Sequence, residues 1–176
     1  ERFVDYQEPS GFKTVLDHLA SAKDLPTHSE LAKKAEAGDA AAASILGKRM
    51  AMAGSNDEAM KWYAKVPTRE DEIEYWWAAT RQAGEANEKV PSDEAKKKWK
   101  AAVEGALKKF PETISVLDWR SQLAEAQGGA EKPDGQKTLE KLVQFCDDLI
   151  KDPARFEKFN KSEFAGDYKG IEPLFT

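Results

Sequence analysis

The chain offers few side chains that could act as nucleophiles, proton carriers or metal ligands. It contains one cysteine, Cys146, and two histidines, His18 and His28. Cys146 falls on the apolar stripe of a predicted helix and is followed by Asp147 and Asp148, whose charges oppose a thiolate, so we expect a buried, unreactive thiol. Neither histidine has a second metal ligand at helical spacing. The sequence therefore predicts no catalytic residue, no metal site and no bound cofactor.

Two runs of charge are the next candidates for chemistry. The acidic run Glu70 to Glu74 has the composition of a cation site or of paired catalytic carboxylates, but it lies in the predicted first turns of a helix, where the helix dipole stabilises acids. The basic run Lys96 to Lys100 has the composition of an anion-binding patch around Trp99. By spacing, however, Trp99 belongs to the apolar face of its helix and points away from most of these lysines. We expect both runs to be solvated helix faces. The ion pairs expected at four-residue spacing are Glu94 with Lys98 and Glu104 with Lys108.

Charge and composition limit the class of protein. The 176 residues suffice for one domain of ordinary size or two small ones, and 34% of them are charged, with a net charge of -5. This acidic balance argues against a nucleic-acid binder, which needs cations to neutralise phosphates. No apolar run approaches the roughly 18 residues of a membrane span. We expect a soluble, helical protein anchored by aromatic residues, in the cytoplasm, the periplasm or outside the cell. Because it begins with Glu1 rather than methionine, we expect a processed or trimmed chain.

Apolar residues recur at helical spacing from Ser29 onward, and the predicted class is all-α. Six helices from about Ala40 form three antiparallel pairs, whose inner turns are expected at Gly54, at Gly84–Pro91 and at Gly128–Gly135. The last of these helices carries an apolar stripe of Leu139, Leu142, Val143, Cys146, Leu149 and Ile150. The predicted helices are Glu30–Ala37, Ala40–Ala53, Asp57–Val66, one capped by Thr68 and ending near Ala83, one capped by Ser92 and ending before Pro111, Ile114–Gln127 and Gln136–Lys151.

The first helical pair resembles a known repeat family. Leu46-Gly47, Ala59 and Tyr63 stand at the offsets of a tetratricopeptide repeat, and the stretch Gly38 to Lys65 also resembles a Sel1-like repeat. The resemblance implies antiparallel helical hairpins stacked as a short tetratricopeptide-like array, with a concave surface that binds proteins or peptides. The alternative is an irregular helical bundle.

The opening of the chain has a different pattern. Arg2 to Tyr6 is a candidate strand, Pro9-Ser10-Gly11 breaks it, and a helix around Phe12 to Leu19 follows. This strand-helix segment resembles the end of a thioredoxin-like domain, although the chain has no Cys-x-x-Cys motif. The resemblance implies that the chain is the C-terminal helical part of a thioredoxin-like redox protein whose catalytic cysteines lie outside it.

These observations divide the chain into three segments. They are a strand-helix segment over residues 1–25, a tetratricopeptide-like helical domain over 26–152 and a partly packed tail over 153–176. The tail carries apolar residues that need cover, namely Phe156, Phe159, Phe164, Tyr168 and Phe175.

The aromatic residues suggest where a partner binds. Trp76 and Trp77 are adjacent on one helix, about 100° apart, so both are buried only if the helix is covered over a wide arc. With Tyr63 and Trp119 they form our candidate partner groove. We expect a non-catalytic protein-interaction or scaffold module with a protein or peptide partner. The alternative function is that of an accessory domain in the redox protein described above.

Overall fold

The structure, a computed structural model, describes residues 26–162. The strand-helix segment over residues 1–25 and residues 163–176 of the tail lie outside the described residues. The thioredoxin-like resemblance rests on the first of these segments and stays a prediction.

Residues 26–162 form eight α-helices and two 3₁₀ turns, at Arg69–Asp71 and Gly129–Glu131, without a strand. The predicted all-α class is confirmed. In this part of the chain, no helix combines the length and the apolar character needed to cross a membrane. The helices are α1 His28–Glu36, α2 Ala40–Met52, α3 Asn56–Tyr63, α4 Ile73–Lys89, α5 Asp93–Lys109, α6 Ser115–Ala126, α7 Pro133–Lys151 and α8 Pro153–Asn160.

Several helices begin at side chains that the sequence marks as caps. At α1, Thr27 and Glu30 form a capping box, in which the Thr27 hydroxyl accepts from the Glu30 amide and the Glu30 carboxylate accepts from the Thr27 amide. Asp39 caps α2 and Ser92 caps α5 by a single bond each: their side chains accept from the amides of Ala42 and Ala95. Between α1 and α2, Gly38 takes a φ of 100°, which a residue with a side chain rarely adopts.

The helices pack as antiparallel hairpins in chain order. The closest pairs are α2 with α3, α4 with α5, and α6 with α7, and each pair also packs on the next through α3 with α4 and α5 with α6. The hairpins enclose two cores. The first core lies among α1 to α4 around Leu46, Ala59 and Tyr63. The second lies among α4 to α8 around Trp99 and Trp119.

Two predicted turns are shorter than expected. The loop predicted at Gly84–Pro91 is wrong, because α4 continues to Lys89 and only three residues join it to α5. Gly84 stays helical because it lies against Trp99 of α5, where its missing side chain lets the two helices approach closely. The loop predicted to reach Gly135 is also too long, since α7 begins at Pro133, a residue well suited to the first helical position.

The third long helix starts later than the sequence suggests. Thr68 precedes a 3₁₀ turn rather than an α-helix, and α4 begins only at Ile73. The first part of the predicted tail is helical: in α8, Phe159 is buried against Phe145 of α7, with ring centroids 5.6 Å apart.

Two helical glycines allow aromatic rings to lie on their backbone, and they should respond differently to alanine. A Cβ atom at Gly47 would lie 2.8 Å from the Tyr63 ring, and one at Gly105 would lie 2.6 Å from the Trp76 ring. Tyr63 is fully buried and has no room to move, whereas Trp76 is half-buried. We expect Gly47→Ala to lower the free energy of unfolding by about 1–3 kcal/mol.

We expect Gly105→Ala to cost less, because the Trp76 ring can shift and alanine favours the helix by about 1 kcal/mol. Urea titrations followed by circular dichroism measure both variants. Equal losses would show that ring mobility does not decide the outcome.

Candidate functional site

The four residues of the predicted groove do not form one surface. Tyr63 is 0% exposed in the first core and Trp119 is 1% exposed in the second core. Both are covered on all sides by neighbouring helices, so neither can contact a partner. The helical spacing of Tyr63 and Trp119 places both on the inward-facing sides of their helices. These sides line the protein interior and not an open groove.

Trp76 and Trp77 remain half-buried, and each holds helices together. The indole N–H of Trp76 donates to the carbonyl of Glu70 over 2.9 Å, and its ring lies on Gly105 of α5. The indole N–H of Trp77 donates to the hydroxyl of Ser115 at the start of α6 over 2.6 Å. Trp76 therefore joins α4 to its hairpin partner α5, and Trp77 joins α4 to the following hairpin at α6.

A polar cluster lies behind Tyr63, where the sequence indicated only a solvated acidic run. The Ser44 hydroxyl lies 2.7 and 2.8 Å from the two carboxylate oxygens of Glu72. Lys48 Nζ lies 3.9 Å from Glu72 and 4.0 Å from Glu74, which is 7% exposed. The Tyr63 hydroxyl is buried and has no hydrogen-bond partner among the described residues, and the charges of Glu74 and Glu72 act on it. The cluster is closed to a substrate, because its innermost groups are buried.

The cluster makes the free energy of unfolding depend on pH in the alkaline range. Burial, and then the charges of Glu74 and Glu72, raise the pKa of the Tyr63 phenol above its ordinary value. The unfolded chain releases this proton above about pH 10, while the folded chain keeps it. The contribution of Tyr63 to stability is therefore fully present below that pH, and above it the free energy of unfolding falls by about 1.4 kcal/mol per pH unit.

Tyr63→Phe should remove this contribution. We expect unfolding free energies measured between pH 9 and about pH 11 to fall less steeply in Tyr63→Phe than in the parent chain, since Tyr63 is the group that resists ionisation. Parallel slopes in the two proteins would show that the phenol ionises normally in the fold.

The basic run is a solvated face, as predicted. Trp99 is buried, and its indole N–H donates to Gln122 of α6, away from the lysines. Lys98 pairs with Glu94 at 2.7 Å, as expected from their spacing. Glu104 pairs with Lys100 at 3.8 Å and not with Lys108, the partner predicted from spacing.

An open cleft of about 780 Å³ lies between the end of α4 and the start of α5. Its acidic groups already have partners within the fold: Asp57 accepts from Gln82 and Glu85 accepts from Asn56, each over 2.8 Å. A ligand that binds these two carboxylates would have to displace these hydrogen bonds.

Helix α7 has an apolar flank that its neighbours leave uncovered. Phe145 and Leu149 are buried against α6 and α8, but Val143 is 61% exposed and Ile150 is 72% exposed. The inner stripe predicted for this helix is therefore wrong at these two positions. The exposed side chains lie in line with two half-buried ones, at spacings of four, three and four residues, along a single side of the helix. We call this surface the α7 stripe; its members are Leu139, Val143, Cys146 and Ile150.

Cys146 lies on the α7 stripe and is half-buried, not buried as predicted. The difference arises because Phe145, one position earlier, takes the inward-facing place. Glu140 and Asp147 are exposed beside the stripe, on its outer edge by helical spacing. The stripe thus has an apolar centre and an acidic edge.

His28 makes an edge contact with Trp62, with ring centroids 6.5 Å apart. Across residues 26–162, the His, Cys, Asp and Glu side chains form no group of three able to hold a metal ion. His18 lies outside the described residues.

Comparison with known proteins adds no relative: no family model, no curated protein and no solved structure matches the chain.

Proposed function

We propose that the chain is a non-catalytic protein-interaction module whose binding face is the α7 stripe. The observation that carries this proposal is the exposure of Val143 and Ile150 in line on one helix. Single exposed apolar residues are common on protein surfaces, whereas an aligned apolar strip is typical of an interface. The stripe lies on the last long helix of the described array, on the flank beside its contacts with α6 and α8.

The chemistry of the stripe favours an amphipathic helix as partner. Apolar residues spaced by three and four along a partner helix would pack between Val143 and Ile150. Glu140 and Asp147 on the outer edge favour lysine or arginine beside that apolar strip, since complementary charge fixes register and partner choice. The tetratricopeptide-like resemblance agrees with such a role, but only by analogy of fold.

Photo-crosslinking tests the proposal. A photoreactive residue at position 143 should capture a partner in cells, and the same residue at Lys137, on the opposite side of α7 by helical spacing, is the matched control. The captured protein is then purified and its affinity for the chain is measured directly. We expect Val143→Asp and Ile150→Asp to weaken binding at least about tenfold, equivalent to about 1.4 kcal/mol, with Lys137→Ala unchanged.

Two results would overturn the proposal. A partner whose affinity is the same for the parent chain and for Val143→Asp would place the binding face elsewhere. Crosslinking at position 143 to a second copy of this chain alone would assign the stripe to self-association.

A further inference from the structure

We infer that α8 is a displaceable cover, and that the partner binds the form of the protein in which α8 is released from α6 and α7. Release uncovers Phe145 beside the α7 stripe and so widens the apolar face. This inference rests on the proposed function, because it describes the regulation of that same face.

Helix α8 is too short to be stable by itself. It has eight residues, Pro153–Asn160, and isolated helices shorter than about 12–15 residues are marginal in water. A single residue with extended backbone, Asp152, separates it from α7. A change of backbone conformation at this one residue is enough to detach α8, and its helical form depends on its contacts with the rest of the chain.

One apolar side chain anchors α8. Of its eight residues only Phe159 is buried, and its ring lies against that of Phe145 with centroids 5.6 Å apart. An open cleft of about 440 Å³ lies beside Phe159, where Glu112 faces α8. The helix is therefore not closely packed on this side, and its release returns a single large aromatic side chain of α8 to water.

The remaining links that hold α8 and the residues just after it are polar. Arg155 donates to the two carboxylate oxygens of Glu112, over 3.1 and 2.8 Å. The Ser162 hydroxyl accepts from the Ile114 amide at the start of α6, over 3.2 Å. Both side chains of the ion pair remain partly exposed, and pairs of this kind stabilise a fold only slightly. The clamp thus fixes the position of α8, while its release costs little free energy.

Release would enlarge the face described above. Phe145 and Leu149 are 8% and 3% exposed, and both belong to the core that Phe159 completes. Each lies one position before a member of the α7 stripe, so the two form a second apolar row beside it. Two adjacent rows make the wide apolar arc with which a helix packs on another helix. In this arrangement α8 and a partner helix compete for the Phe145 ring.

Amide hydrogen exchange in the full chain measures the release. After correction for intrinsic rates, we expect the Phe159 amide to exchange at least about a hundredfold faster than that of Val103, which is fully buried in α5, because α8 opens without global unfolding. Glu112→Gln removes one charge of the clamp and should raise exchange in α8 about threefold. Glu125→Gln, the same change at an exposed position of α6, is the matched control and should leave the exchange rate unchanged.

Partner affinity measures the consequence. The probe is the purified protein captured at position 143. Because a partner that needs the released form binds in proportion to the released fraction, Glu112→Gln should raise its affinity by the same factor of about three. Glu125→Gln should bind it as the parent chain does.

The outcomes separate this inference from the proposed function. Equal exchange rates for Phe159 and Val103 would overturn the inference, since α8 would then open only when the whole protein unfolds. Faster exchange in Glu112→Gln without tighter binding would also overturn it, since α8 would not regulate the face. Neither result alters the affinity expected for Val143→Asp. Conversely, a partner that ignores Val143→Asp would overturn the proposed function while exchange in α8 still responds to Glu112→Gln.

Discussion

Replacing Trp119 by alanine is expected to lower the free energy of unfolding by about 3–5 kcal/mol. Trp119 is 1% exposed and is the largest fully buried side chain within residues 26–162. It packs in the second core with Val103 and Val116. Its neighbours belong to helices held on several sides, so they cannot close the cavity that truncation leaves. Urea denaturation followed by circular dichroism measures the loss without depending on tryptophan fluorescence.

Trp62 provides the matched control. It is only partly buried, and it contacts His28 and Lys65 at the edge of the first core. We expect Trp62→Ala to cost less than half as much as Trp119→Ala, because less apolar surface is returned to water. A loss below about 1 kcal/mol for Trp119→Ala would contradict the packing of the second core.

Gly135→Ala is the second substitution with a large expected effect. A Cβ atom at this position would lie 2.1 Å from the carbonyl oxygen of Gly129 and 2.9 Å from that of Ala124. Both obstacles are backbone atoms, so no side-chain rotation relieves the clash and the first turn of α7 must move away from α6. We expect a loss of about 3 kcal/mol, at the upper end of the range for overpacked sites. Thermal unfolding and urea titration both measure it.

Gly84→Ala is its control, because it makes the same chemical change inside a helix. There the nearest atoms are 3.3 Å away and belong to the Trp99 side chain. The gain in helix propensity offsets the tighter contact, and stability should stay within about 1 kcal/mol of the parent. If both glycine variants lose the same free energy, the close approach of α7 to the Gly129 turn is not what determines the loss at Gly135.

Local pattern was sufficient to predict α1 to α7, but it missed α8 and misplaced both ends of α4. Side chains able to cap, such as Asp39 and Ser92, mark helix starts through contacts within three residues, which the sequence shows directly. Trp99 was placed on an inner face because the apolar residues of α5 recur at a single spacing, and it is buried. Gly84 was misjudged as a turn residue because its role depends on a neighbouring helix.

The candidate site depends on contacts that spacing does not encode. The apolar arc of α7 is wider than one neighbour can cover, and only the positions of α6 and α8 decide that Phe145 is buried while Val143 is exposed. Likewise, Ser44 meets Glu72 across 28 residues of sequence, a pairing that no local pattern indicates. Apolar spacing therefore locates amphipathic faces, and tertiary packing decides which of them remain open.

The sharing of α4 between the two cores bears on how the chain folds. Ala78 of α4 is buried in the first core, and Trp76 and Trp77 of the same helix pack against the second. Most other contacts join helices that are neighbours in the chain, so little loop-closure entropy is lost when they form. Each half can therefore form rapidly, yet neither is complete without α4. Loss of order in this helix would expose apolar surface in both halves at once, which couples them into one cooperative unit.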